Sequence, residues 1–245
     1  MQQKEDVWTF GEVVVPADVQ KSYANSLNGT LDFLLCQALR LTFAQHSWRL
    51  SEFAAFLNAH FQYFPDDFSQ PAFIDNHDMN RFLFSVNNDQ RLLRLVLTIL
   101  YTLSGPPIVY YGTENGLSQN RSIHEKGAKG FDEARLAMIW EDEPRPILSD
   151  LLKKMADFRG KTPETYTKEW KILWSDDEED ALVLGKADNS LILIINRSEE
   201  FKEIQLSLDQ KMAFQDPIDE ETFDARNGLL EVYLKPVSAQ ILVRE

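Results

Sequence analysis

Apolar positions along the chain first follow the pattern of buried strands alternating with helices, and then that of short alternating strands. VWTFGEVVV, from Val7 to Val15, is β-branched and aromatic with little polar alternation and ends at Pro16. That pattern predicts a strand buried on both faces. Asp18 is placed to cap a short helix over Val19–Asn25, and a second strand is expected over Gly29–Leu34. Helical spacing follows over Cys36–Ala44 and over Ser51–Phe61, the latter with Ser51 as cap. Pro71–Asn76 reads as a third strand and Asp89–Leu103 as a long apolar helix broken by Ser104-Gly105-Pro106-Pro107. Ile108–Tyr111 reads as a fourth strand, Gly112 to Phe131 as a polar excursion, and Ile147–Arg159 as a helix with Pro146 near its start.

This alternation indicates parallel βα units. After about Pro163 the runs Ala181–Lys186, Ser190–Asn196, Glu203–Leu208, Leu229–Leu234 and Gln240–Val243 are separated by turn signals such as Asp188-Asn189 and Asn227-Gly228. They predict an antiparallel β-sandwich. The boundary falls between Gly160 and Thr165, giving an α/β unit over 1–162 and an all-β unit over 163–245. The acidic stretch Ser175–Asp180 is expected to be a solvated loop.

Composition narrows the function. With 44% hydrophobic and 26% charged residues, the chain of 245 residues is an ordinary globular one. No apolar run approaches the ~20 residues that span a bilayer, so no membrane partner is expected. A net charge of −14 repels polyphosphates, so no nucleic-acid partner is expected and a neutral substrate fits better. The single cysteine, Cys36, sits in the apolar stretch LLCQALRL and reads as core packing. MQQKEDVWTF has no basic segment followed by an apolar one, which favours the cytoplasm without fixing the compartment.

Catalytic groups of a βα barrel sit at the carboxyl ends of its strands. Glu12 lies in the first apolar run, and Asp75, Asn76, His77 and Asp78 close the third. A carboxylate among Val and Phe is costly to desolvate, and a proton held more tightly for that reason suits a general acid. Each has a plainer reading: Glu12 as a structural carboxylate bonded to a buried base, and Asp75–Asp78 as a polar turn or a metal cluster. His46, His60 and His124 lack metal-ligand spacing and read as surface or core residues. Asn28, Asn120 and Asn196 head glycosylation triplets, a common and weak pattern.

Five ordered segments carry a specific resemblance. FIDNHDMNR (Phe73–Arg81) resembles the fourth sequence region of the α-amylase family of glycoside hydrolases, and FGEVVV (Phe10–Val15) the third, which holds the proton donor. GPPIVYYGTENG (Gly105–Gly116) is similar to the family's eighth-strand segment, and DEARLAMIW to the stretch before its last barrel helix. The closing run LLEVYLKPVSAQILV is similar to the end of the family's C-terminal β domain. The resemblance implies the second half of a TIM-type (β/α)8 barrel, strands five to eight, followed by a β-sandwich. It implies retaining hydrolysis of α-glucans such as starch or maltooligosaccharides; calcium is common in the family, but its ligands come from regions absent here, so no metal or cofactor is expected. Glu12 is implied as general acid/base, Asp78 as the carboxylate that holds sugar hydroxyls in the transition state, and His77, with Asn76 beside it, as substrate-binding.

Two departures qualify it. The family's nucleophilic aspartate precedes the acid by some 30 residues, whereas only 11 precede Glu12 here. Val14 stands where an aromatic residue is usual. The chain alone is therefore expected to be inactive, and to need either the first half of the barrel or self-association to cover its sheet edges. A glucan-binding or structural remnant of the family is the alternative, and a phosphosugar-binding barrel is disfavoured because no glycine-rich phosphate loop is present.

Overall fold

The computed structural model describes residues 7–140, 148–162, 168–208 and 211–245. β1 (Phe10–Gly11) pairs in parallel with β2 (Gly29–Thr30). The same pairing continues through residues 69–72 and 106–108. Thr30 N donates to Ser69 O, Asp32 N to Pro71 O, Ala72 N to Pro106 O and Ile108 N to Ala72 O. The bridges Gly29/Ser69 and Ala72/Pro107 are likewise parallel. Spatial order thus follows chain order, with a helical crossover between neighbours as parallel pairing requires. Two glycines permit the close approach: a Cβ on Gly29 would collide with the Ser69 carbonyl oxygen, and one on Gly105 with that of Gln70.

The strands are shorter than the apolar runs that announce them. Only Phe10 and Gly11 of the first run are paired, and Trp8, Phe10 and Val14 are 47%, 45% and 71% exposed. Burial on both faces is therefore corrected to an edge, because among the described residues β1 has a strand partner on one side only. The second run leaves the strand after Thr30, where Asp32 Oδ1 accepts the Leu35 amide at 2.9 Å and starts a helix.

That helix is α2 (Phe33–Leu39), continued by a π-helical turn over Arg40–Ala44. Before it, α1 (Ala17–Lys21) begins at Pro16 with no side-chain cap, so Asp18 lies in the first turn rather than capping it. α3 (Leu50–Tyr63) starts at Arg49, whose amide donates to Glu52 Oε2 at 2.8 Å. Ser51 is not its cap; its amide and hydroxyl donate to Asp177 at 3.1 and 2.6 Å. After the short α4 (Phe82–Ser85), α5 (Gln90–Thr102) is capped by Asp89, Oδ1 accepting the Arg91 amide. α6 covers Leu148–Lys161; Pro146 and Ile147 lie outside the described residues.

The remainder is antiparallel. β3 (Lys171–Asp176), β4 (Ala181–Gly185), β5 (Leu191–Asn196), β7 (Ala213–Gln215), β8 (Thr222–Asp224) and β10 (Ser238–Arg244) form one sheet in the order β3-β4-β5-β10-β7-β8. β6 (Lys202–Ser207) and β9 (Leu229–Leu234) form a two-stranded ribbon. β4 and β5 are buried at every position. Their Leu182, Leu184, Leu193 and Ile195 join one core with Leu57, Leu97 and Met155 of the helices. The alternate residues Val183, Ile192 and Ile194 meet Ile204, Leu206 and Val232 of the ribbon. The large sheet is thus the middle layer, with helices on one face and the ribbon on the other.

The acidic stretch leaves β3 at Asp176 and turns over residues 177–180, with Ser175, Glu178 and Glu179 exposed as a solvated loop would have them, while its aspartates are bonded. Asp177 receives Ser51, Asp176 Oδ1 accepts the Glu178 and Glu179 amides, and Asp180 pairs with Arg197 at 2.7 Å. Arg197 also donates to the carbonyls of Thr42 and Trp48 at 2.6 and 2.9 Å, fastening the sheet to the helices.

Candidate active site

The four parallel segments present their carboxyl ends together. Glu12 directly follows β1, Asp32 follows β2, Asp75 to Asp78 follow residues 69–72, and Tyr110 and Tyr111 follow 106–108. One strand, β2, separates the Glu12 segment from the Asp78 segment. Their main chains are therefore two strand spacings apart, about 10 Å.

Glu12 is exposed, so the desolvation expected from its apolar neighbours does not arise in this chain. The buried carboxylate is Asp75, 3% exposed, whose Oδ2 accepts the Phe82 amide at 2.7 Å. Burial pushes its pKa up, opposed by that amide and by the Arg81 and Arg40 guanidiniums. Asp75 is thus a structural carboxylate that starts α4, while the residues after it turn outward. Asn76 Oδ1 accepts the Asp78 amide at 2.8 Å and closes the turn. His77 and Asp78 have half-exposed side chains, with His77 Nε2 3.4 Å from Asp78 Oδ2. Among the described residues no three His, Cys, Asp or Glu side chains gather as a metal-binding group.

Beneath the turn lies a polar hub. Arg81 is fully buried, its Nε donating to Ala134 O at 3.0 Å and Nη1 to Tyr111 O at 2.9 Å. Its guanidinium lies 4.5 and 4.9 Å from the ring centroids of Tyr110 and Tyr111. Asn80 Oδ1 accepts from Gln119 Nε2 at 2.7 Å and from the Ile123 amide at 2.9 Å, while Gln119 Oε1 accepts the Arg81 amide. These residues hold the polar excursion after the fourth segment against the turn. Sequence reasoning passed over Asn80 and Arg81 although both lie within the quoted motif. Charged residues are almost never fully buried, so pattern alone gave no reason to place Arg81 inside.

Asp32 and His60 are a second buried pair, Oδ2 to Nε2 at 2.8 Å, with His60 stacked on Phe56. Their 28-residue separation hid the contact from spacing arguments. Cys36 is buried as expected, and burial raises its thiol to about 12, which keeps it unreactive. Asn196 is fully buried and donates to the carbonyls of Glu200 and Lys235, so its triplet is closed to modification in the folded chain. A cavity of 560 Å³ is lined by Ser69, Gln70, Gly105 and Pro106 at the opposite, amino-terminal ends of the segments, away from the carboxylates.

This arrangement has known counterparts. Residues 1–150 match the family model described as the catalytic domain of α-amylase. The chain is 29% identical over 240 residues to α-amylase 2 of Dictyoglomus thermophilum, a match covering 98% of this chain and 41% of that protein. It is 27% identical to the cyclomaltodextrinase of Geobacillus thermopakistaniensis, covering 85% of this chain and 34% of the relative. The solved Anoxybacillus α-amylase superposes with a TM-score of 0.82 at 20% identity, over 98% of this chain and 52% of that one. The chain thus spans about two-fifths or less of the length of these two relatives. A family model matched over more than half its length, through the segments that carry Glu12 and Asp78, makes this chain a member of the α-amylase catalytic-domain family.

Proposed function

We propose that residues 1–162 are strands five to eight of a (β/α)8 catalytic barrel with their helices, and 163–245 a C-terminal β-sandwich, of a retaining glycoside hydrolase acting on α-glucans. The observation that carries this reading is the alignment of Glu12 and the Asn76-His77-Asp78 turn at one end of parallel, consecutively bonded segments. In this reading Glu12 protonates the departing glycosidic oxygen and then takes a proton from water or an acceptor hydroxyl. Asp78 holds the hydroxyls of the reacting sugar as positive charge develops on its ring, and His77 and Asn76 complete the contact.

A nucleophilic carboxylate is still needed. Asp32 is engaged by the Leu35 amide and His60, and Asp75 by the Phe82 amide; both are buried, so neither is presented for attack. In the proposed enzyme the nucleophile comes from the first half of the barrel, which would also cover Trp8, Phe10 and Val14 at the β1 edge. Self-association would cover the same surface without supplying that group.

The test is turnover of maltoheptaose by the chain alone and by the chain reconstituted with a first barrel half from a relative. Turnover only in the reconstituted protein, lost in Glu12→Gln and with retained anomeric configuration, is the expected result. Glucan binding without turnover in an assembled barrel would favour the non-catalytic reading.

A further inference from the structure

We propose that Arg135 is a positioning residue that fixes the His77–Asp78 turn for catalysis; the inference rests on the reading of Asp78 given above and adds a residue to it. Arg135 makes two bonds from one guanidinium. Nη2 donates to Asp78 Oδ1 at 2.7 Å, and Nε donates to the His77 carbonyl at 3.0 Å. One bond fixes the carboxylate and the other the main chain that bears it. Asp78 Oδ2 lies 3.4 Å from His77 Nε2 on its other side.

The guanidinium is itself supported. Arg135 follows a 3-10 helix over Gly130–Ala134, and its amide donates to Asp132 O at 3.1 Å. The preceding residue, Ala134, is fully buried and its carbonyl accepts from Arg81. Tyr111 reaches the next residue, its hydroxyl donating to Leu136 O at 2.7 Å. A closed circuit results: the turn at 77–78 leads to Arg81, Arg81 holds Ala134, and Arg135 returns to the turn.

Fold stability does not explain this arrangement. The Arg135 and Asp78 side chains are 42% and 45% exposed, and ion pairs at such exposure contribute little because solvent screens them. Orientation is a different matter. A carboxylate that must meet sugar hydroxyls gains from having its rotamer fixed before substrate arrives, since misplacement by about 1 Å can cost about a hundredfold in rate. A guanidinium fork holds both oxygen and backbone, which the single point charge of lysine does not.

The experiment is a double-mutant cycle in the reconstituted enzyme, with amide hydrogen exchange as a second readout. Arg135→Ala should lower kcat on maltoheptaose about 10- to 100-fold with KM changed less than about 3-fold and the unfolding midpoint unchanged. In an Asp78→Asn background the same substitution should cost less than about 2-fold, because the group it positions is already disabled. Arg135→Lys should recover only part of the loss. Exchange at Asp78 and Met79 amides should quicken about tenfold in Arg135→Ala. Equal losses in both backgrounds, or unchanged exchange at the turn, would overturn the proposal. Full activity of Asp78→Asn would instead strike at the catalytic reading of Asp78, leaving exchange to decide whether Arg135 orders the turn.

Discussion

Single residues show how far a local pattern reaches. Glu12 and the Asn76-His77-Asp78 turn could be picked out because their residue types and spacing match a known motif. Their surroundings could not be: the apolar company of Glu12 suggested burial, and β1 leaves it exposed. The reverse holds at Lys186, which the sequence shows only as the end of a strand. It is 4% exposed, with Nζ 3.9 Å from the centroid of Trp170. Burial pulls its pKa from 10.5 to about 7, opposed by the charges of Asp188 and Glu169. The unfolded chain keeps the ordinary lysine value, so between about pH 7 and 10.5 it binds a proton that the folded chain lacks. This group therefore contributes stability that rises with pH across that interval, and its penalty is full below pH 7. Lys186→Met should raise the urea midpoint at pH 7 and flatten the stability profile from pH 7 to 10. An unchanged slope would mean that the ammonium remains solvated in the native state.

Elements were legible where a periodic run was long. The run Asp89–Leu103 marked α5 within a residue at each end, and Leu229–Leu234 marked β9 to the residue. β7 and β8, at three residues each, are too short to establish a period, and β3 departs from alternation at the bulge between Ile172 and Trp174. The parallel segments were found as runs but not measured, since their length is set by neighbours rather than by their own composition. Gly29 shows what such a neighbour demands. Any side chain there meets the Ser69 carbonyl oxygen, a backbone atom that cannot swing aside. Gly29→Val should lower unfolding free energy by about 1–3 kcal/mol, as overpacking does elsewhere. A thermal midpoint equal to that of the parent chain would show that the pairing between β2 and residue 69 is looser than described.

At the scale of the molecule, the two-unit division suggested by the change of pattern meets a continuous core. Leu182, Leu193 and Ile241 of the large sheet pack in one cluster with Leu57, Leu97 and Met155. No local pattern contains that contact, because it depends on which face of a doubly buried strand meets which helix. The sheet therefore buttresses the helices behind the parallel segments, on whose common end the proposed chemistry depends. The central claim is that Glu12 supplies the proton to the departing oxygen. It is tested most directly by comparing two substrates in the reconstituted enzyme, maltotriose, whose leaving sugar needs that proton, and α-maltosyl fluoride, whose fluoride does not. Glu12→Gln should lower kcat/KM on maltotriose by about 10²–10⁴-fold, the range of general acid catalysis. The loss on the fluoride should be smaller by at least about tenfold. Equal losses on the two substrates, or none on either, would contradict that claim.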